Sequence, residues 1–370
     1  MLRNAALHDA VLAAPDDDAP RLVYADWLLE RGDPRGELIA TQIALAANPD
    51  DAALGARERE LMTAHRETWI APSRTMQPQF RNGFIEQILV GGGELHGLAA
   101  AVEDACIRNL ETSGVYRGLD PIVAQLSRMA LRGFHLQYGT LMPERLAPLL
   151  AAPEIARLET LSLLIIKYDP GSLEALIDAD LPALRDLWLS RGGIDAAAID
   201  KLTKWRQPLR SFEVSHNKIG NGSIAKLLAA PAFRALESLD LRATNIGSDD
   251  VDDLCALDPP LVGLNLASCS IGAHGAMAIA AWPGAARLRS LGLADAGIGA
   301  EGLAAIAASP YLTLGMTLAL DADLLGLESR GSRRVGQIEP GLAARFNIVI
   351  DGEPAYHACA AVSSHGPRRG

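Results

Sequence analysis

The chain has 370 residues, 49% of them apolar and 5% aromatic, so it can bury a large core made mainly of Leu, Ala, Ile and Val. A formal net charge of -11 argues against long-range attraction to nucleic acid or an anionic membrane, because either needs a positive surface field. The four cysteines, Cys106, Cys255, Cys269 and Cys359, form no closely spaced pair, which argues against a zinc knuckle or a disulfide framework and for reduced thiols.

Residues 1–14 carry His8 and Asp9 within an apolar run and lead into Asp16, Asp17 and Asp18, the wrong charge pattern for a cleavable secretion signal. No run reaches the ~18 to 20 apolar residues of a membrane span. A cytoplasmic location is therefore expected. Next, Leu22, Val23, Ala25, Trp27 and Leu28 fall on a helical face, Arg31-Gly32-Asp33-Pro34 supplies a stop, and a second helix starts near Gly36. Asp16 to Asp18, Tyr24, Asp26 and Trp27 read either as a docking or active site or as helix caps with a small aromatic core. The second reading is preferred, since carboxylates ahead of a helix satisfy its free N–H groups. Residues 15–40 resemble a short domain found at the N-terminus of many bacterial repeat proteins. The resemblance implies a companion to repeats, with no assigned chemistry.

From Gln79 to Val90 the chain ends in an alternating apolar run that predicts a strand, followed by Gly91-Gly92-Gly93 and a helix from Leu95 to about Ile107. This segment is expected to add the first rung of a sheet and, with the helical module, to cover the end of a repeat core.

A repeat then dominates. The pattern Leu-x-x-Leu-x-Leu recurs as Leu184, Leu187, Leu189; Leu209, Phe212, Val214; Leu236, Leu239, Leu241; Leu261, Leu264, Leu266; and Leu288, Leu291, Leu293, with looser copies at Leu131 and Leu158. Successive starts lie 27, 26, 25, 27, 25 and 27 residues apart. Ile219-Gly220, Ile246-Gly247, Ile271-Gly272 and Ile298-Gly299 occupy the same offset, where the chain must turn from strand to helix, and Ala- and Leu-rich stretches of helical spacing follow. One such unit cannot bury both its strand and its helix, so copies must stack in register.

The expected fold is thus α/β: a right-handed solenoid, a leucine-rich-repeat horseshoe with a parallel inner sheet and outer helices, preceded by a small helical module. The units resemble the ribonuclease-inhibitor-like class of leucine-rich-repeat proteins over residues 131–310. One departure is the polar turn position, which holds Asn217 in one copy but Thr244, Cys269 and Ala296 in the next three. The hydrogen bonds between successive turns are therefore expected to be incomplete, and Cys269 reads as a structural thiol. Residues 312–320 and 345–350 suggest a last irregular strand and a closing edge strand. The expected organisation is a helical module over 1–75, a capping region with a first irregular repeat over 76–130, repeats over 131–320, and a cap and tail over 321–370.

Hydrolase and phosphate-loop motifs are absent from the sequence, the triplet Gly91–Gly93 lacks dinucleotide-site spacing, and the eight histidines do not cluster as metal ligands. No enzyme activity and no cofactor are expected, the least favoured reading being an unrecognised enzyme, which would need a cluster of titratable groups in a cleft. The repeats do offer a sheet face. If the Leu positions point into the core, the third and fifth positions of each motif line the opposite, open side. The third gives Gly133, Thr160, Asp186, Ser211, Ser238, Gly263 and Ser290, and the fifth gives His135, Ser162, Trp188, Glu213, Asp240, Asn265 and Gly292.

Trp188 is the expected anchor for a protein or peptide partner, because a large aromatic on a small polar surface matches binding hot spots. Glu213, Asp240, Arg242 and Asn265 are expected to orient the partner, with His135, Arg191 and His216 nearby. The function expected is a non-enzymatic interaction scaffold. The alternative is a recognition platform whose tail, rich in small residues and ending in Arg368-Arg369-Gly370, is the substrate of a modifying or processing enzyme.

Overall fold

The computed structural model describes residues 2–114, 118–321, 324–325, 328–330, 333–335 and 340–350. Cys359 and the rest of the tail at 351–370 lie outside the described residues, as does the alternative function drawn from them. The chain divides into two compact units: Met1–Gly139 with Glu144–Thr160, and Thr140–Pro143 with Leu161–Gly370. No helix among the described residues is long and apolar enough to cross a membrane.

The first unit opens with four helices, α1 (Ala5–Ala13), α2 (Asp18–Leu29), α3 (Arg35–Ala47) and α4 (Ala52–Trp69). Asp17 caps α2 by accepting from Ala19 N at 2.9 Å, and Asp16 pairs with Arg108 at 2.5 Å and Arg132 at 3.4 Å. Tyr24 is fully buried and stacks on Trp27 and Phe84 with ring centroids 5.9 and 5.7 Å away. Capping thus accounts for Asp17, ion pairing for Asp16, a hydrogen bond from Asn82 for Asp18, and an aromatic core for Tyr24 and Trp27.

The buried face of α2 differs from the expected one. It is formed by Arg21, Tyr24, Ala25 and Leu28, whereas Leu22 and Val23 are 40% and 54% exposed. Arg21 occupies the core because it has partners there: Pro15 O and Glu86 Oε1, each at 2.5 Å. A second guanidinium, Arg35, donates to Gly83 O and Asp104 O at 3.3 and 2.7 Å. The two lie 5.8 and 4.8 Å from the ring centre of Phe84, which adds cation–π attraction to the ion pair.

The strand expected over 79–90 is a hairpin, β1 (Gln79–Arg81) antiparallel to β2 (Phe84–Gly91). Asn82 and Gly83 both have positive φ, 48° and 75°, the conformation that matches the twist of paired strands. Gly83 is required twice over, since a Cβ there would come within 2.1 Å of Ile39 Cγ1. The helix expected from Leu95 to Ile107 shrinks to a 3-10 turn at Leu95–Gly97 and α5 (Leu98–Ala101). Two further strands, β3 (Asn109–Ser113) and β4 (Gly133–Leu141), run parallel to β2 with Ile88, Leu110 and Phe134 in register, and α6 (Asp120–Val123) lies between them in the chain. β2 is therefore the first parallel rung of this unit. Helix α7 (Pro143–Leu150) follows β4.

The second unit is the regular solenoid. Strands β5 (Thr160–Tyr168), β6 (Asp186–Trp188), β7 (Ser211–Glu213), β8 (Ser238–Asp240), β9 (Gly263–Asn265), β10 (Ser290–Gly292) and β11 (Thr317–Leu320) lie side by side in chain order. A short antiparallel pair, β12 (Glu328–Arg330) and β13 (Arg333–Val335), intervenes in sequence before β14 (Asn347–Ile350) closes the row beside β11. Leu187, Phe212, Leu239, Leu264, Leu291, Leu318 and Ile348 share one register position from β6 to β14. Helices α8 (Pro170–Asp178), α9 (Ala196–Leu202), α10 (Ser223–Ala229), α11 (Ser248–Leu257), α12 (Gly272–Ala281) and α13 (Gly299–Ala308) follow successive strands and pack on one another in order; α14 (Pro340–Arg345) precedes β14. The Leu residues at positions four and six of the motifs are almost entirely buried. Each such side chain contributes roughly 1.5–3 kcal/mol, and only stacking removes it from water.

The turn out of each strand holds a feature the motif did not reveal. Tyr138, Ile165, Arg191, His216, Ala243, Ser268 and Asp295, the eighth position of every copy, are all left-handed with φ between 52° and 56°. Glycine takes up positive φ later, at Gly220, Gly272 and Gly299, but Gly247 is extended at φ -122° and serves as the N-cap of α11. A left-handed L-residue costs roughly 1–2 kcal/mol, so the stacking of rungs must hold these turns. Ala243→Gly is expected to stabilise the protein by about 0.5–1 kcal/mol, the relief of strain less the entropy of glycine. A denaturation midpoint that falls instead would contradict this account of the turn.

Candidate functional site

Parallel strands sit about 4.8 Å apart, so equivalent side chains on successive rungs form ladders. On the face opposite the Leu core, one ladder runs Asp186, Ser211, Ser238, Gly263, Ser290 and the next runs Trp188, Glu213, Asp240, Asn265, Gly292. The shared face matches the alternation read from sequence, but the expectation of open side chains is corrected for the polar ones: Glu213, Asp240 and Asn265 are only 6%, 4% and 0% exposed. Hydrogen bonds along and between the rungs engage their polar atoms.

Those bonds can be followed atom by atom. Glu213 Oε1 accepts from Ser215 Oγ at 2.8 Å and from Ser190 Oγ. Asp240 Oδ1 accepts from Arg242 N and Oδ2 from Asn265 Nδ2, both at 2.9 Å, while Asn265 Oδ1 accepts from Ala267 N at 3.1 Å. Asp186 pairs with Arg210 at 2.9 Å, an arginine at position two of the following motif whose opposite charge at that offset was the available signal. Trp188 is half-buried and its Nε1 donates to Ser211 Oγ at 3.4 Å, leaving part of the indole open on the face.

Two carboxylates on adjacent rungs shape the electrostatics. Burial raises Glu213 above its ordinary value, and burial together with the Glu213 charge pushes Asp240 from 3.8 up to about 7. A folded-state value above the unfolded one means that the native state holds the proton more tightly. This acid therefore takes nothing from stability below pH 3.8 and increasingly destabilises the fold as pH climbs towards about 7. Asp240→Asn removes that dependence. Its stability relative to the parent should improve between pH 4 and pH 8 by on the order of a few kcal/mol, whatever the absolute difference. Parallel urea titrations at the two pH values read it, and a difference independent of pH would refute the assignment.

At the C-terminal rim of these strands, Arg191 and His216 occupy the left-handed turn position on neighbouring rungs. Arg191 Nη2 lies 3.4 Å from His216 Nε2. Burial, then the charges of Arg191 and Arg242, lower the His216 pKa, so its ring is neutral at pH 7. Trp188, Arg191, Glu213, His216, Asp240, Arg242 and Asn265 thus come together in the second unit. His135 belongs to the first unit, where burial lowers its imidazole to about 4.

Cys106, Cys255 and Cys269 are unbridged. Burial pushes the thiols of Cys106 and Cys255 up to about 11 and 12 and raises that of Cys269. Cys269 Sγ donates to Leu241 O at 3.0 Å, taking over part of the turn-to-turn bonding. Among the described residues no group of three or more His, Cys, Asp or Glu side chains is placed to hold a metal ion.

The Leucine Rich repeat family model matches residues 259–280 and 287–307. These leucine-rich repeats hold β9 with α12 and β10 with α13. No curated protein matches the chain. Among solved structures it is similar to an internalin (InlF) of Listeria monocytogenes, at 17% identity and a TM-score of 0.39 over 70% of this chain and 62% of that one. It is also similar to the yeast Rad7 and Elc1 complex, at 18% identity and a TM-score of 0.40 over 64% of this chain and 63% of that one. The chain therefore spans less than two thirds of the length of either relative.

Proposed function

We propose that this chain is a non-enzymatic scaffold or adaptor that binds a protein or peptide partner on the open sheet face of its second unit. The observation that carries the reading is Trp188, a large aromatic left half-open on a face whose other side chains are small or already hydrogen-bonded. Such a residue gains most from burial, and a rigid polar surround loses little conformational entropy when a partner covers it. Glu213, Asp240 and Asn265 then act as a fixed polar floor, and Arg191, His216 and Arg242 as a rim. The net charge of -11 favours a protein partner over nucleic acid or an anionic membrane. His135 belongs to the first unit.

Within the same reading, residues 131–320 are ribonuclease-inhibitor-like repeats between a capping region at 76–130 and a terminal cap from 321. Residues 1–75 form the companion module of a bacterial, cytoplasmic protein. Fixing the full chain on a support and recovering bound proteins from its native cytosol, with mass spectrometry as readout, tests the docking reading. Trp188→Ala is expected to weaken capture of the specific partner at least tenfold, consistent with roughly 2 kcal/mol for a hot-spot aromatic. Equal recovery by both proteins would remove its support.

A further inference from the structure

Nine large apolar side chains are exposed among the described residues, and three of them, Leu22, Val23 and Leu29, lie on the single helix α2. The other six, Leu2, Tyr138, Met142, Leu257, Met277 and Leu314, are spread singly over different elements and loops. Isolated exposed side chains of this kind are ordinary, whereas several together on one polar-rimmed face mark a surface that another molecule covers.

Helical spacing sets that face. The exposed residues of α2 are Asp18, Ala19, Leu22, Val23, Asp26, Leu29 and Glu30, which at about 100° per residue fall within one arc of about 140°. Arg21, Tyr24, Ala25 and Leu28 occupy the opposite side and enter the core. Although α1 and α3 both pack on α2, the arc stays open. Asp26 lies at its centre, midway along the axis between Leu22 and Leu29 and with Val23 on its other flank.

The charges on the arc are of one sign, three carboxylates and no base. Asp18 accepts from Asn82 Nδ2 at 3.1 Å, and Glu30 pairs with Arg31 at 3.2 Å. Arg31 also donates to Trp27 O at 2.8 Å and lies 4.4 Å from the Trp27 ring centre, while Arg81, next to Asn82 in the hairpin, lies 4.0 Å from Glu86. The Asp26 carboxylate has no hydrogen bond or ion pair among the described residues.

We propose that this face of α2 is a second docking surface, and that its occupant is an amphipathic helix of a partner protein carrying Lys or Arg among its apolar side chains. Leu22, Val23 and Leu29 supply the apolar contact of helix-on-helix packing, and the partner's cation meets Asp26. A second copy of this chain is a poor occupant. Any two-fold pairing that sets Leu22 against Leu29 brings Asp26 against its own copy with no cation between them. Nucleic acid and anionic lipid are repelled by the same three carboxylates. The surface belongs to the first unit and does not rest on the reading of the Trp188 face.

The test titrates the full chain, methyl-labelled at Leu and Val, with a model helix of about 18 residues built from Leu, Ala and Lys, and follows the resonances by NMR. Saturable shifts are expected at Leu22, Val23 and Leu29, with an affinity that falls as salt rises. Leu22→Ser combined with Val23→Ser and Leu29→Ser should weaken binding about tenfold or more. Its urea midpoint should match the parent's, because these side chains are already in water. Asp26→Asn should weaken binding severalfold, the model helix with Glu in place of Lys should not bind, and Leu257→Ser with Met277→Ser in the second unit should change nothing.

Equal binding by the triple Ser variant would reduce the effect to general attraction by a chain of net charge -11 and overturn the proposal. Binding of the Lys helix unchanged by Asp26→Asn, or matched by the Glu helix, would remove its charge complementarity and overturn it too. A parent chain that sediments as a dimer and becomes monomeric in the triple Ser variant would make the occupant a second copy instead.

Discussion

Replacing Arg21 by Ala is expected to cost about 3–5 kcal/mol of folding stability, the range for breaking a buried ion pair by removing one member. The side chain is 1% exposed and that of its partner Glu86 6% exposed, with 2.5 Å between Nη2 and Oε1. Truncation leaves the Glu86 carboxylate buried with only the charges of Arg108 and of Arg81, whose Nε lies 4.0 Å away on a 73% exposed side chain, to offset it. It also leaves Pro15 O with Arg108 Nη1, at 3.2 Å, in place of two guanidinium donors, and empties the space beside Phe84. Urea unfolding followed by circular dichroism measures the loss. The double variant Arg21→Met with Glu86→Gln should recover most of it, because the stranded charge is gone. If Arg21→Ala lost under about 1 kcal/mol, the pair would not hold α2 in place.

The second large effect is expected at Asn217, which is 3% exposed. Its Oδ1 accepts from Gly192 N and Ile194 N, each at 3.0 Å, while Nδ2 donates to Leu189 O at 2.7 Å, Val214 O at 2.9 Å and Ser215 O at 3.1 Å. One side chain therefore satisfies backbone groups of two successive turns. Asn217→Ala leaves several of them buried without a partner, at about 1–3 kcal/mol for each group that water cannot reach. A loss of about 3 kcal/mol or more is expected.

The same position two rungs later supplies the control. Cys269 reaches only Leu241 O at 3.0 Å and Thr244 Oγ1 at 3.5 Å, and Ala296 already has no side-chain polar group to offer. There the turn closes through its own backbone, with Cys269 N donating to Leu266 O and Ala296 N to Leu293 O. Cys269→Ala should cost about 1 kcal/mol, the value of one modest hydrogen bond. Equal losses at 217 and 269 would contradict this division between side-chain and backbone closure.

How far the sequence could be read depended on what each residue needed from elsewhere. That the side-chain bonds between turns are incomplete was legible from Asn217, Thr244, Cys269 and Ala296, because each sits at a fixed offset from its own Leu motif: Asn217 and Cys269 reach the preceding turn, whereas Thr244 Oγ1 donates to Leu241 O of its own. The face carrying Trp188 was legible from alternation alone. The burial of Glu213 and Asp240 was not, because it goes with hydrogen bonds from Ser190 and Asn265 on neighbouring rungs. Arg21 was hidden for a similar reason: arginine is by habit exposed, and only Glu86, 65 residues away, makes burial tolerable. The left-handed turn was invisible in residue type, since Tyr, Ile, Arg, His, Ala, Ser and Asp share no preference for positive φ.

The sequence by itself determined the stacked parallel strands, the helix that follows each one and the register of their Leu residues. Spacing near 26 residues with two apolar surfaces per unit leaves no other way to exclude water from both. Only the tertiary structure decided which polar groups enter the interior and which stay open. That choice rests on hydrogen-bond and charge partners brought within 3 Å from distant parts of the chain, and no local pattern encodes a partner's distance.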